Sequence, residues 1–194
     1  MDIKLVIKEK ARALFCEKGF KNVTLREVAK ALNKSYGNIT YHYRTKKEVC
    51  SVLLDDFIAE LSTTYHRLAA LKDPFATYKL WPKYHFECYQ KYRFLLCDFH
   101  EITRSYSESE LSYSLKTLLY HSKKKQLLHS LQEKGYLLKN LTLDRMEYIL
   151  ELETALTQVY FQHEQGDQKS YQKKMNCLLY PYLTYIGKLK YIRS

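Results

Sequence analysis

Helix-capping residues recur at short intervals through the first 50 residues, and they constrain the fold more than any other feature of the sequence. Apolar side chains at helical spacing between residues 3 and 15 are followed by Gly19, which is suited to ending a helix. Thr24 precedes a second apolar run and has Glu27 three residues later, a capping-box pattern. Ser35 is a capping residue for a third short helix. The pattern therefore predicts three short helices in close succession.

The same signals continue beyond residue 43 and predict an all-α fold of about nine helices. The start signals are Thr45 with Glu48, Asp73 with Pro74, Ser107 with Glu110, Thr142, and Asp167. Pro82 predicts a kink or a division of the segment that runs toward Arg104, and Gly135 predicts the end of the helix that begins near Ser107. Only five glycines and three prolines occur in 194 residues, which is typical of helices with short connections.

Charge and helix lengths predict two domains. We expect a three-helix domain over residues 1–48 and a larger helical domain over residues 49–194. Residues 1–50 hold twelve Lys or Arg against five Asp or Glu, a net charge of +7, whereas residues 51–194 have a net charge of +4. A concentrated positive charge favours a polyanionic partner such as nucleic acid, although a solvated basic face is the simpler alternative. Short helices two and three, joined by a tight turn, are also typical of a helix-turn-helix, with an ordinary helical hairpin as the alternative.

Residues 24–49, with the sequence TLREVAKALNKSYGNITYHYRTKKEV, resemble the signature of the TetR family of repressors. The preceding ALFCEKGF of residues 13–20 is similar to the end of that family's first helix. The resemblance covers about a quarter of the chain. It departs from the family in three places, where Asn33 replaces a usual glycine, Lys34 a small apolar residue and Thr40 a common tyrosine. Asn33 still suits the left-handed backbone that such a turn needs.

The resemblance implies that these residues contact double-stranded DNA. The implied contact residues are Thr24, Lys34, Ser35, Tyr36, Gly37, Asn38, Tyr41, His42 and Lys46. Residues 35–38 would form the first turn of the recognition helix and reach base edges, while Tyr41, His42 and Lys46 would contact phosphates. For His42, packing within the N-terminal domain is the alternative. Thr24 is either a helix cap alone or a cap that also touches a phosphate, and Lys34 is either a phosphate contact or solvated.

The family also implies a regulator with a ligand-binding and dimerising C-terminal domain. Such a protein would be a homodimeric repressor that binds a palindromic operator and is released by an unknown small-molecule effector, with a two-fold axis matching half-sites about 34 Å apart. The last two predicted helices, about 143–164 and 168–190, carry apolar residues on more than one face and are the expected dimer interface. Aromatic residues that could line an effector pocket, or simply fill the core, are Trp81, Tyr84, Tyr89, Phe99, Tyr113 and Tyr120.

Other functions find less support in the sequence. No catalytic motif is present, and no cofactor is expected. The pairs His85 with Cys88 and Cys97 with His100 would lie about 13 Å apart along one helix, too far for one zinc ion unless the chain turns sharply near Tyr92. We therefore expect no metal site. A membrane-surface protein and a small helical enzyme without a recognisable motif remain the alternative functions.

Several features predict the environment of the chain. Charges interrupt every hydrophobic run before the roughly 20 residues that span a bilayer, so we expect a soluble cytoplasmic protein with no membrane partner. The five cysteines are scattered, which favours reduced thiols that serve as small core residues. Lys123, Lys124 and Lys125 are predicted to form a solvated face of a C-terminal helix.

Overall fold

The computed structural model of the protein describes residues 2–105, 112–163 and 166–193. Over these ranges it is all-α, as predicted, with eleven α-helices, a short 3-10 turn and no strand. The helices are α1 (Ile3–Lys18), α2 (Leu25–Ala31), α3 (Tyr36–His42), α4 (Lys46–Ala69), α5 (Pro74–Lys91), α6 (Phe94–Cys97), α7 (Phe99–Ser105), α8 (Ser112–Glu133), α9 (Leu143–His163), α10 (Gln168–Leu179) and α11 (Tyr185–Arg193), and the 3-10 turn is Tyr180–Tyr182.

Most of the predicted helix ends are confirmed by hydrogen bonds. Gly19 ends α1 with a positive φ of 84°, a conformation that costs glycine little. The Asp73 carboxylate accepts from the backbone N–H of Phe75 at the start of α5, and the Asp167 side chain caps α10. The Ser107 and Glu110 signal lies outside the described residues.

The breaks between helices differ from the prediction in two regions. Pro82 lies inside α5, which is continuous, so of the two predicted outcomes the division is wrong, and the kink stays a prediction. The chain breaks instead after Lys91 and again at Asp98, which gives α5, α6 and α7. The last predicted helix likewise divides into α10 and α11 around the Tyr180–Tyr182 turn, where Thr184 donates its backbone N–H to the Tyr136 carbonyl. These three breaks, less the division predicted at Pro82, turn about nine predicted helices into eleven.

The first of two compact units comprises residues 1–60 and 88–111. Its core includes Ile7, Phe15, Phe20 and Phe94, and the Phe15 ring lies 5.2 Å from Phe20 and 5.3 Å from Phe94. Residues 88–105 thus belong to the same unit as the three N-terminal helices. The boundary between residues 48 and 49 stays a prediction.

The second unit comprises residues 61–87 and 112–194. Its apolar core is built from Leu68, Phe75, Tyr78, Trp81, Leu127, Leu128, Leu131, Leu137, Leu141, Met146, Ile149, Leu150, Leu179 and Leu183. The C-terminal segment is held to this core at Gly187, where a Cβ atom would lie 2.3 Å from the Tyr136 carbonyl oxygen. Only glycine allows α11 to approach so closely.

Two predictions about solvent exposure are wrong. Lys124 is buried against Glu153, because neighbouring positions on a helix point about 100° apart and the middle lysine of the run faces the core. Lys125 remains on the surface, paired with Glu147. All five cysteines are free, but Cys177 is exposed rather than part of the core. Within the described ranges, none of the helices has the length and apolar character needed to cross a bilayer.

Candidate nucleic-acid interface

Helices α2 and α3 are joined by a tight turn that fixes the direction of α3. The predicted capping box at the start of α2 is complete: Thr24 Oγ1 accepts from the Glu27 N–H, and the Glu27 carboxylate accepts from the Thr24 N–H at 2.7 Å. After α2, Asn33 adopts a φ of 52°, the left-handed conformation expected of a turn residue. Lys34 then donates its backbone N–H to the Ala29 carbonyl at 3.0 Å. The two helices therefore form a helix-turn-helix.

Helix α3 is held to the core by one buried side chain and is capped at its N-terminus. The Ser35 hydroxyl accepts from the Asn38 N–H at 3.1 Å, as predicted for the first residue of this helix. Ile39 is fully buried and is the one residue of α3 in the core. The Thr40 hydroxyl donates to the Tyr36 carbonyl, so this departure from the family pattern turns its polar group back onto the helix.

The opposite face of α3 and the turn before it are open to solvent. The exposed residues are Asn33, Lys34, Ser35, Tyr36, Gly37, Asn38 and Tyr41. Tyr41 is 85% exposed and Tyr36 is 46% exposed. Nothing lies within 4 Å of the position that a Cβ atom would take at Gly37. Large aromatic side chains rarely stand free on a monomer surface in such proximity, so this face is suited to a partner.

Arg26 on α2 belongs to this face, although no motif in the sequence pointed to it. Its guanidinium carbon lies 5.3 Å from the centre of the Tyr36 ring, a cation–π distance. The two residues are ten positions apart and meet only because the turn brings α2 and α3 together. Arg26 therefore holds the first aromatic side chain of α3 and adds a positive charge beside it.

Of the remaining predicted contact residues, Thr24 is exposed, whereas His42 and Lys46 are half-buried. The Thr24 hydroxyl donates to the Glu27 carboxylate, and the Tyr41 and His42 rings lie 5.1 Å apart. The Lys46 ammonium donates to the Phe20 carbonyl at 2.8 Å and lies 4.3 Å from the centre of the Phe20 ring. Burial lowers the pKa of Lys46 against the opposing effect of nearby acidic groups. DNA contact by these residues, as by the other residues predicted to contact DNA, stays a prediction.

Local partners occupy most of the acidic groups of the first 50 residues. Asp2 caps α1, Glu9 binds Arg12 at 2.8 Å, Glu27 completes the capping box and Glu48 accepts from the Arg44 N–H. The backbone N–H of Thr24 is the main cause that lowers the pKa of Glu27 and keeps it ionised. The acids stabilise helix ends, and the lysines and arginines give the surface its positive charge.

Within the first unit, residues 88–105 contact helix α1 and the residues that follow it. The Asp98 carboxylate accepts from the Phe20 N–H at 2.7 Å, immediately after the α1 cap. Arg12 donates to the Lys91 carbonyl at 2.8 Å and lies 5.7 Å from the centre of the Tyr92 ring. The packing of α1 therefore depends on a segment some 80 residues away in the sequence.

The residues predicted to line an effector pocket fall into different parts of the molecule. Trp81 is buried in the second unit, and Tyr84 is half-buried there with Arg67 6.0 Å from its ring. Tyr89 packs against Phe57 in the first unit, to which Phe99 also belongs. The side chains of Tyr113 and Tyr120 lie outside the described residues.

The spacing that suggested a metal site does not assemble one in the described part of the chain. His85 is buried with its ring 5.0 Å from that of Trp81, and the Cys88 thiol faces the Phe57 carbonyl. Across the described ranges, no group of three or more His, Cys, Asp or Glu residues is placed to hold a metal ion. The side chain of His100 is outside those ranges.

Comparisons with known proteins agree with this geometry. Residues 7–51 match the family described as bacterial regulatory proteins, tetR family. A TetR-family transcriptional regulator from Marinobacter aquaeolei VT8 is 18% identical with a TM-score of 0.84, over 95% of this chain and 93% of that one.

Two further solved structures share the fold. The ketosteroid transcriptional regulator KstR2 of Mycobacterium tuberculosis is 19% identical with a TM-score of 0.77, over 94% of this chain and 96% of that one. AibR, solved in complex with isovaleryl coenzyme A and operator DNA, is 12% identical with a TM-score of 0.73, over 93% of this chain and 100% of that one. No curated protein sequence matches the chain.

Proposed function

Because the chain belongs to the TetR family of DNA-binding transcriptional regulators, we propose that it is a cytoplasmic homodimeric repressor, released from a palindromic operator by a small-molecule effector. The observation that carries the DNA-binding part is the exposed face of α3, where Tyr36 and Tyr41 stand in solvent above the buried Ile39. Helix α3 has seven residues, so it is about 10 Å long at 1.5 Å per residue and fits a major groove about 12 Å wide.

We assign reading of base edges to the first turn of α3 and anchoring on phosphate to the residues around it. Tyr36 and Asn38 project from the N-terminal end of the helix, which is the end that reaches bases in helix-turn-helix proteins. Tyr41 lies one turn further on, and Lys34 lies in the preceding turn, where each would meet the sugar-phosphate backbone.

An apolar stripe on α9 supports a homodimer. Tyr148, Leu152, Leu156 and Val159 recur every three or four residues, and they are between 37% and 60% exposed. They therefore form one continuous face on a helix whose opposite side is already buried in the core. A second copy of the chain is the occupant that we propose, because a two-fold dimer also places two α3 helices for a palindromic site.

Helix α11 adds a second exposed apolar face. Tyr185, Ile186, Leu189 and Ile192 are between 36% and 78% exposed. By contrast, the exposed residues of α10 include Lys169, Lys173 and Lys174, which would resist close packing against the same helix of another copy. The proposed interface therefore uses α9 and α11, and it leaves α10 at the rim.

Release by an effector would follow from a shift between two dimer geometries. If one geometry matches the spacing of DNA half-sites and the effector prefers the other, each ligand lowers the affinity of the other by the same factor. The fold of AibR, described with both a coenzyme A thioester and operator DNA, supports such a two-ligand protein.

The DNA-binding assignment is tested by selecting bound sequences from random duplexes and measuring their affinity by fluorescence anisotropy. An enriched palindromic sequence is expected. Tyr41→Ala should weaken binding to all duplexes, whereas Tyr36→Ala should change the preferred bases by about 1–3 kcal/mol at one position of each half-site. Lys139→Ala, an exposed lysine of the second unit, is the control. Failure to enrich any sequence would contradict the proposal.

The dimer is tested by analytical ultracentrifugation of a matched pair of variants. Leu156→Lys places a charge in the centre of the α9 stripe and should convert the dimer to a monomer. Leu138→Lys places the same charge on a side chain of similar exposure, 38% against 41%, that lies outside α9, and it should leave the dimer intact. A dimer that survives Leu156→Lys would refute this interface.

A further inference from the structure

The second unit buries polar side chains in an otherwise apolar core. Among the described residues, every buried polar or charged residue lies in this unit: Thr77, His85, Lys124, Glu153, Thr157 and Asn176. The side chains of Lys124 on α8 and Glu153 on α9 form an ion pair and are 6% and 8% exposed. The core therefore contains an ion pair in addition to its apolar side chains.

A buried ion pair is a poor way to stabilise a core. Removing two charges from water costs as much as their attraction returns, so apolar residues of similar size are commonly as good or better. The neighbouring pair on the same two helices, Lys125 with Glu147, stands on the surface at a Nζ–Oε2 distance of 2.7 Å. That pair avoids the cost, and the buried pair therefore calls for a reason other than stability.

The Lys124 ammonium has unused bonding capacity. It lies 5.3 Å from the centre of the Trp81 ring and, within the described part of the chain, donates its hydrogen bond to Glu153. An ammonium has three N–H donors. Burial lowers the pKa of Lys124, and Glu153 acts in the opposite direction. A further negative group beside the ammonium would stabilise it.

No second cation competes for such a group among these buried residues. The ring of His85 stacks on Trp81 at 5.0 Å. Burial, followed by the charge of Lys124, lowers the pKa of His85 well below its usual value and keeps the imidazole neutral. The recognition of a negative charge thus falls to Lys124 alone.

Asn176 supplies an independent sign of a missing partner. Its side-chain Oδ1 is buried and has no hydrogen-bond donor in the described structure. Its backbone carbonyl, in contrast, accepts from the Tyr78 hydroxyl at 2.7 Å. Burial raises the pKa of Tyr78, and the Glu153 carboxylate adds a smaller effect in the same direction. Thr157, one turn after Glu153 on α9, contacts the Tyr171 hydroxyl at 3.0 Å on α10, the helix that carries Asn176. Asn176, Tyr78 and the ion pair are therefore connected through the contact between α9 and α10.

We propose that this region recognises an amphiphilic organic anion, whose acidic group binds the Lys124 ammonium while its apolar body lies against the surrounding aromatic rings. The inference rests on the effector response proposed above and names the chemical class of the effector. The four-carbon arm of Lys124 allows its ammonium to turn from Glu153 toward a ligand. A hydroxyl or N–H of the ligand would satisfy Asn176 Oδ1. A cationic ligand would instead have to displace Lys124 from both Glu153 and the Trp81 ring.

A pair of fluorescent probes that differ by one charged group tests the proposal. The anion 8-anilinonaphthalene-1-sulfonate and the neutral N-phenyl-1-naphthylamine share the same aromatic body, and only the first carries a sulfonate. Equilibrium titrations of the full-length protein give the dissociation constant of each. The wild-type protein should bind the anion at least about tenfold more tightly than the neutral compound, a difference of about 1.4 kcal/mol.

Three variants assign any preference to the buried pair. Lys124→Met combined with Glu153→Leu removes both charges without leaving one unpaired, and it should lower affinity for the anion at least about tenfold while changing that for the neutral probe less than about threefold. Glu153→Gln removes the competing carboxylate and should strengthen binding of the anion. Lys125→Met is the matched surface control and should bind as the wild type does.

Operator affinity, measured with and without the anion, separates this inference from the proposed effector response. Anion binding that depends on Lys124 but leaves DNA affinity unchanged would support the site and contradict release by an effector bound there. Absence of saturable anion binding, equal binding of both probes, or an unchanged preference in the double variant would overturn the anion site, whatever happens to DNA affinity.

Discussion

Removal of one partner from the buried ion pair should destabilise the protein far more than removal of both. Lys124→Met leaves the Glu153 carboxylate in a core where it is 8% exposed, and we expect a loss of about 3–5 kcal/mol. For a chain of this length, about 2–4 °C is lost per kcal/mol, so Tm should fall by roughly 6–20 °C. The double variant Lys124→Met with Glu153→Leu should return to within about 1 kcal/mol of the wild type or exceed it.

Urea denaturation provides the measurement. Trp81 is the only tryptophan, and Lys124 lies 5.3 Å from its ring, so its fluorescence reports directly on this region while circular dichroism reports on the helices. Lys125→Met breaks the surface pair with Glu147 and should cost less than about 1 kcal/mol. If Lys124→Met costs no more than Lys125→Met, or if the double variant is as unstable as the single one, the burial of this pair does not have the energetic role assigned to it.

Three other residues give stability predictions that the same denaturation assay checks. Because burial lowers the pKa of His85, the unfolded chain takes up a proton below about pH 6.5 that the native protein does not. The free energy of unfolding should therefore be highest above that pH and fall by up to about 1.4 kcal/mol per pH unit below it. In a pH series from 5 to 8, His85→Phe should lose this decrease in stability. Asn33→Ala should cost about 1 kcal/mol, because φ is 52° there, whereas Asn33→Gly should be nearly neutral; equal effects would contradict a left-handed turn. Ile39→Ala should cost about 2–5 kcal/mol because the side chain is fully buried, and a cost below 1 kcal/mol would contradict its role as the anchor of α3.

The helix-turn-helix could be predicted because its signals are local. Thr24 and Glu27 bond to each other across three residues, and Ser35 bonds to Asn38 over the same distance. Neither interaction needs the rest of the molecule. The chain does not divide at Pro82, because the tendency of proline to break a helix is outweighed by the packing of α5, whose residues Tyr78 and Trp81 are buried.

Long-range packing decided the features that the sequence did not reveal. The run of three lysines predicts a solvated face, and nothing local identifies Lys124 as the one that meets an acid 29 residues away. Likewise, no local pattern predicts the contact between Arg26 and the Tyr36 ring. Apolar residues spaced at the helical period show that a segment is a helix. Where more than one face is apolar, as in α9, the spacing does not show which apolar residues face the core.

Helix α9 connects the buried ion pair with the exposed apolar stripe, neither of which the sequence pattern could assign to a face of the helix. Its core face includes Glu153 and Thr157, which are buried, while its outer face carries Leu152 and Leu156 in solvent. A helix that buries a charge and exposes leucine reverses the usual preference on both sides, and such local conflicts are characteristic of functional sites. The two occupants proposed above would resolve both conflicts at once: an anionic ligand beside the ion pair, and a second copy of the chain on the stripe. Since one helix of 21 residues carries both faces, a ligand that repositions α9 from the inside would change the proposed dimer contact on the outside, and this is the coupling that the proposed release from DNA requires.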